Sequence, residues 1–168
     1  MPQQVLDPQS VELLEILEER ADLPLEVLAA QVGLSVEETR RRIETLKERR
    51  ILRKLRAIVD WERTGHEHVY AFVDVRVKPE HDVGFDAIAR QVALFDEVHS
   101  LYLMSGQYDL LVVVEGESLK DIATFVAEKL APLRGVESTA TSFVLKKYKV
   151  DGENFVSEHE DRRLPVAP

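Results

Sequence analysis

Near residue 60 the apolar residues of this chain change their period. Upstream they recur every three or four positions, whereas from Val69 to Val77 every second residue is Val or Ala. The chain must therefore begin as helices and continue around a sheet. In the first stretch, LDPQSVELLEILEER offers Asp7 as a cap and Pro8 at the first helical position, with Val11, Leu14 and Leu17 expected inward. A second helix runs from about Pro24 through LEVLAAQV to Gly33, a residue suited to the left-handed stop. Ser35 with Glu38 makes a capping-box pattern and opens a third helix to about Arg49, with Val36, Thr39, Ile43 and Leu46 expected inward.

The second stretch starts with VYAFVDVRVK, which puts Val69, Ala71, Val73, Val75 and Val77 on one strand face and Tyr70, Phe72, Asp74 and Arg76 on the other. VGFDAIARQVALF returns to helical spacing at Phe85, Ile88, Ala89 and Val92. VHSLYLM and LLVVVEG then read as strands on either side of an SGQY turn, in which Gly106 is expected to supply a positive φ. Ser118 opens a helix over SLKDIATFVAEKLAPL, with Ile122, Phe125, Val126 and Leu130 inward and Pro132 beyond its end, and VESTATSFVLKKYKV closes as a strand. The order over residues 68–150 is β-α-β-β-α-β, the ferredoxin-like split βαβ arrangement. The fold class is thus α+β. We expect a winged helix-turn-helix over residues 1–60, a linker at 61–67 around WERTG, the ferredoxin-like domain at 68–150, and a mobile polar tail at 151–168. Two helices cover only one face of four strands, so Tyr70 and Phe72 on the other face point to sheet-on-sheet dimerisation.

A formal charge of −9 argues against a nucleic-acid partner until its distribution is read. Nine of the 22 Lys and Arg lie between Arg40 and Arg56, and only Glu44 and Glu48 of the 31 acids lie among them. A cationic stripe therefore sits on an anionic body. Only one residue separates Gly33 from Ser35, and small Ala29 precedes the glycine by four; this is helix-turn-helix spacing, in which the second helix of the pair enters the DNA major groove. On that reading Ser35, Glu37, Arg40, Arg41, Arg42 and Lys47 face DNA, with Glu37 accepting from a cytosine amino group. Arg53, Lys54 and Arg56, on the extended ILRKLRAIVDW segment taken as a wing or linker strand, contact phosphates. The alternative is a solvated charged helix in a three-helix bundle, and Glu37 and Glu38 count toward it because both repel phosphates.

Other chemistry is sparse. The absence of cysteine removes disulfides, cysteine-ligated zinc and thiol nucleophiles. No run approaches the roughly 18 to 20 apolar residues of a membrane helix, and MPQQVLDPQS lacks a targeting pattern, so the expected location is cytoplasmic. No nucleophile elbow, dinucleotide fingerprint or phosphate-binding glycine loop is present, and we expect no catalytic residue, metal or cofactor. His66 and His68 share one side if extended and offer two imidazoles to a metal, although solvated histidines are the commoner outcome; His81, His99 and His159 are isolated in sequence.

With LAAQVGLSVEETRRRIETLKERRIL in its first half and VHSLYLMSGQYDLLVVVEG and VESTATSFVLKKYK in its second, the chain resembles the Lrp/AsnC family, the feast/famine transcriptional regulators, from about Leu6 to Lys149. The resemblance implies a sequence-specific DNA-binding regulator. It also implies a second domain that senses amino acids, forms dimers and often octamers of four dimers, and binds effectors in clefts between dimers. The family's glycine-x-x-aspartate loop corresponds to Gly106, Gln107, Tyr108 and Asp109. Effector contacts are then expected from main-chain groups of Ser105 to Tyr108, from the Asp109 carboxylate and from the hydroxyls of Thr139 and Thr141. Two other readings stand beside this one. A small-molecule-sensing or partner-binding module would not touch DNA. A siroheme decarboxylase-like enzyme would share the architecture and use His, Arg and Tyr around a tetrapyrrole, but LYLMSGQYDLL lacks Arg and His where those enzymes carry a basic, His-containing stretch.

Overall fold

The computed structural model describes residues 5–66, 68–78 and 84–156, and the chain divides between Ile58 and Val59 into two compact units. The first holds α1 (Pro8–Glu19), α2 (Leu25–Gln31) and α3 (Val36–Glu48) around Leu13, Leu17, Leu28, Val32 and Leu46. Asp7 caps α1 by accepting from the Ser10 amide at 3.2 Å and the Ser10 hydroxyl at 2.7 Å. The inward face of α1 is Ser10, Leu13 and Leu17, with Leu14 half-buried beside them. Val11, expected inward, is exposed, because two residues from Leu13 is a turn of about 160° around the helix. Val36 is exposed as well, while Thr39 and Leu46 are buried and Ile43 packs on the same core.

Gly33 has φ 66, and the Leu34 amide donates to the Ala29 carbonyl at 2.9 Å, which ends α2 in the Schellman pattern. α3 ends the same way, with the Ile51 amide on the Leu46 carbonyl at 2.9 Å, but the left-handed residue there is Arg50 at φ 56. The expected wing strand does not form among the described residues: residues 53–60 are neither helix nor sheet.

In the second unit, β1 (Val69–Val77), β2 (Val98–Leu103), β3 (Leu110–Gly116) and β4 (Val136–Phe143) form an antiparallel sheet in the order β2-β3-β1-β4. α4 (Gly84–Val92) and α5 (Leu119–Phe125) lie on one face; the Ser118 hydroxyl caps α5 by accepting from the Asp121 amide. A π turn over Val126–Leu130 extends α5, its Ala131 amide reaching the Val126 carbonyl at 2.8 Å. Ala71, Val73, Val75 and Val77 of β1 and Leu110, Val112 and Val114 of β3 are buried under Ile88, Val92, Ile122, Phe125 and Leu130. On the opposite face Phe72 remains 42% exposed.

Three boundaries differ from the sequence reading. Residues 61–67 were expected as a linker, but Trp61–Thr64 form a 3-10 turn closed by Gly65 at φ 77. The last strand stops at Phe143. Residues 149–154, partly assigned to the tail, form a small hairpin of β5 (Lys149–Val150) and β6 (Glu153–Asn154), while the tail beyond 156 lies outside the described residues.

A left-handed arginine costs about 1 kcal/mol relative to glycine. Arg50→Gly should therefore raise the unfolding midpoint of the first unit, followed by its helical circular dichroism in urea; a lowered midpoint would remove backbone strain as a feature of this cap.

Candidate functional site

The residues expected to face DNA divide into two groups. Ser35 caps α3, its Oγ accepting from the Glu38 amide at 3.2 Å, so it belongs to the helix start. Glu38 does not complete the capping box. Its two oxygens accept instead from Arg41 Nη2 at 2.5 Å and Arg42 Nε at 3.2 Å. Arg42 goes on to engage Asp7 and Ser10 through Nη1 and Gln9 through Nη2, which ties α3 to the start of α1. With its side chain only 23% exposed and all three nitrogens engaged, Arg42 ties α3 to α1 here. Ser10 and Arg42 together hold the Asp7 carboxyl at about 2, against an ordinary 3.8. Arg40 lies a loose 4.0 Å from Glu37, and both are exposed. Arg41, Lys47, Arg53, Lys54 and Arg56 are also exposed, so the cationic stripe survives without Arg42.

The residues expected to contact an effector gather toward one end of the sheet. Leu103, Leu110, Val75 and Thr139 share a rung across all four strands, so residues 105–109 lie at the same end as Thr139. Thr139 and Thr141 pair with Val75 and Val73, which places them on the helix-covered face; Thr139 is half-buried and Thr141 exposed. The loop is latched to β1. Asp109 Oδ2 accepts from the Val77 amide at 2.8 Å, and the Asp109 amide donates to the Val75 carbonyl at 3.0 Å. Arg76, absent from the sequence reading of the site, donates to the Gln107 carbonyl at 3.0 Å and stands 5.5 Å from the Tyr108 ring centre. Its position directly before the buried Val77 was the available signal. Gly106, expected at positive φ, does not adopt it, so this turn is shaped by the Asp109 and Arg76 latches.

A third cluster escaped the sequence reading. His68 Nδ1 and the Tyr70 hydroxyl meet Glu115 Oε1 at 2.6 and 3.1 Å, and His99 Nδ1 lies 3.4 Å from Oε2. Burial alone would push the Glu115 carboxyl up, but hydrogen bonds from His68 and Tyr70 outweigh it and leave the group below its usual range. Trp61 stacks on His68 with ring centres 4.9 Å apart and meets His66 edge-on. No group among the described residues is arranged to hold a metal ion, and His81 and His159 lie outside them.

Residues 6–47 match the AsnC-type helix-turn-helix domain, and residues 70–153 match the Lrp/AsnC ligand binding domain. YugG of Bacillus subtilis, an uncharacterized HTH-type transcriptional regulator, is 44% identical over 164 residues, which cover 97% of this chain and 99% of that protein. The leucine-responsive regulatory protein of Rhizobium meliloti is 28% identical, with 86% and 92% covered. Among solved structures, a transcriptional regulator of Neisseria meningitidis in an L-Met complex is 26% identical with TM-score 0.69, covering 93% of this chain and 99% of that one. Escherichia coli AsnC shares the fold at 24% identity and TM-score 0.66, covering 88% and 97%.

A carboxyl whose folded value is depressed stabilises the fold fully above its unfolded value and loses that contribution as pH falls through the folded one. The advantage of the natural chain over Asp7→Asn should thus be constant above about pH 4 and vanish between 3.8 and about 2, in thermal melts across that range. An advantage that persisted at the acid end would dissociate Asp7 from the effect.

Proposed function

The chain belongs to the Lrp/AsnC family of transcriptional regulators, and from that premise we propose that it holds double-stranded DNA on α3 and responds to a small effector, an amino acid, at the loop end of its sheet. The observation that carries the DNA reading is α3 itself. It follows a tight glycine turn, is capped at Ser35, and exposes Arg40, Arg41 and Lys47, with Arg53, Lys54 and Arg56 following in the chain. These cations meet phosphates and base edges, while the anionic remainder of the protein limits binding elsewhere. Such a regulator works in the cytoplasm, and no helix among the described residues is long and apolar enough to cross a membrane.

The effector reading rests on residues 105–109 and on Arg76. Arg76 offers a guanidinium to a carboxylate, and Asp109 keeps one oxygen that Val77 does not use, suited to an ammonium group. Thr139 lies at the same end of the sheet but on the helix-covered face, opposite Arg76. Two copies pair through the open sheet face around Phe72, and further association into octamers brings effector loops together between dimers. Effector binding changes that association and so the way DNA is contacted. The protein acts by binding and carries out no catalysis.

Binding to duplex DNA, followed by fluorescence anisotropy, should weaken steeply as salt rises, and Arg41→Glu should weaken it about tenfold or more on every sequence. Unchanged affinity would take α3 out of the interface. Asp109→Asn keeps an acceptor for the Val77 amide and removes the charge. It should abolish any amino-acid effect on assembly, read by light scattering, while the dimer persists; a retained response would put the effector elsewhere.

A further inference from the structure

We propose that Glu38 is a positioning residue for DNA recognition, holding Arg41 as a fork for guanine and thereby setting sequence specificity. This rests on α3 meeting DNA as proposed above. Two acids at the start of a DNA-facing helix repel phosphates, so an explanation is needed for their presence. For Glu38 the geometry supplies one. Its backbone is fixed by the Ser35 cap and its carboxylate, 34% exposed, bridges Arg41 on one oxygen and Arg42 on the other. Arg42 is anchored in turn to Asp7, Ser10 and Gln9, so the carboxylate cannot swing without giving up its bond to an arginine that is itself held in place.

Arg41 is different. Its side chain is 66% exposed and only Nη2 is held. Whichever Nη2 hydrogen Glu38 takes, one two-donor edge of the guanidinium remains, either Nη1 with Nη2 or Nε with Nη2. A guanidinium fixed at one nitrogen and open along one edge is pre-organised for the O6 and N7 acceptors of guanine, since less side-chain freedom is lost on binding. The same carboxylate penalises contact with phosphates alone. Glu38 therefore raises discrimination in two ways: it aims the base-reading cation and lowers affinity for sequences that offer only backbone.

The test uses the full-length protein and a random-sequence duplex library, followed by anisotropy on the selected duplex, on the same duplex with single G·C to A·T changes, and on an unrelated duplex. The natural chain should select at least one guanine whose replacement weakens binding about tenfold or more. Arg41→Lys should lose that preference yet hold the unrelated duplex as before, because the charge remains without the fork. Glu38→Gln should reduce the same preference severalfold and bind the unrelated duplex more tightly. Glu38→Asp, which keeps the charge but withdraws it by one methylene, should reduce the preference without that tightening. A purely structural role for Glu38 would weaken all duplexes by one factor, and that result overturns the proposal, as does a guanine preference retained in Arg41→Lys. Failure of the natural chain to bind any duplex would instead overturn the DNA-binding reading beneath it.

Discussion

Every part of the second unit is organised by β1. A strand has period two, so nine residues provide a face of Ala71, Val73, Val75 and Val77 for the helices and a second face of Tyr70, Phe72, Asp74 and Arg76 that they leave uncovered. Both neighbours enforce that division. β3 presents Leu110, Val112 and Val114 in register with the buried residues, and β4 pairs along the other side. A slip by one residue would turn the valines to water and bring Asp74 and Arg76 under the helices, so the register is fixed from two directions. The polar chemistry lies at the two ends of this strand: His68 and Tyr70 meet Glu115 at its start, and Arg76 and the Val77 amide hold the 105–109 loop at its finish.

In the first unit, charge does what aliphatic periodicity does in the second. Only seven residues form α2, and the core is small, so the orientation of α3 also relies on a chain of ionic contacts from Glu38 through Arg42 to Asp7. Half-exposed pairs of this kind contribute modestly one at a time, but several donors on one guanidinium fix direction better than the same contacts scattered over the surface. Acids at the head of a basic helix are therefore compatible with a DNA-facing role when neighbouring arginines engage them.

The local signals were legible in the sequence. Asp7, Ser35 and Ser118 cap the helices that their positions announce, Gly33 terminates α2, and the change from helical to alternating spacing marks where the sheet begins. What was not legible depends on separation in sequence. Arg42 meets Asp7 from 35 residues away, and His68 meets Glu115 from 47, so no spacing rule brings either pair together. His99 falls where the β2–β3 ladder shifts register between Val98 and Ser100, an irregularity that alternation alone does not reveal. The positions of Thr139 and Thr141 required the pairing of β4 with β1, because VESTATSF has no apolar face strong enough to say which side turns inward.

Trp61, the sole tryptophan, stacks on His68, and all four tyrosines, all six phenylalanines and all five histidines follow residue 60 as well. The helical first unit thus contains no aromatic or imidazole side chain. It offers no aromatic platform on which an unpaired base could stack, which favours duplex DNA over single strands as its partner. It is also silent in the near ultraviolet: absorbance and emission above about 270 nm belong to the sheet-bearing unit, and the helices that would hold DNA can melt without changing either.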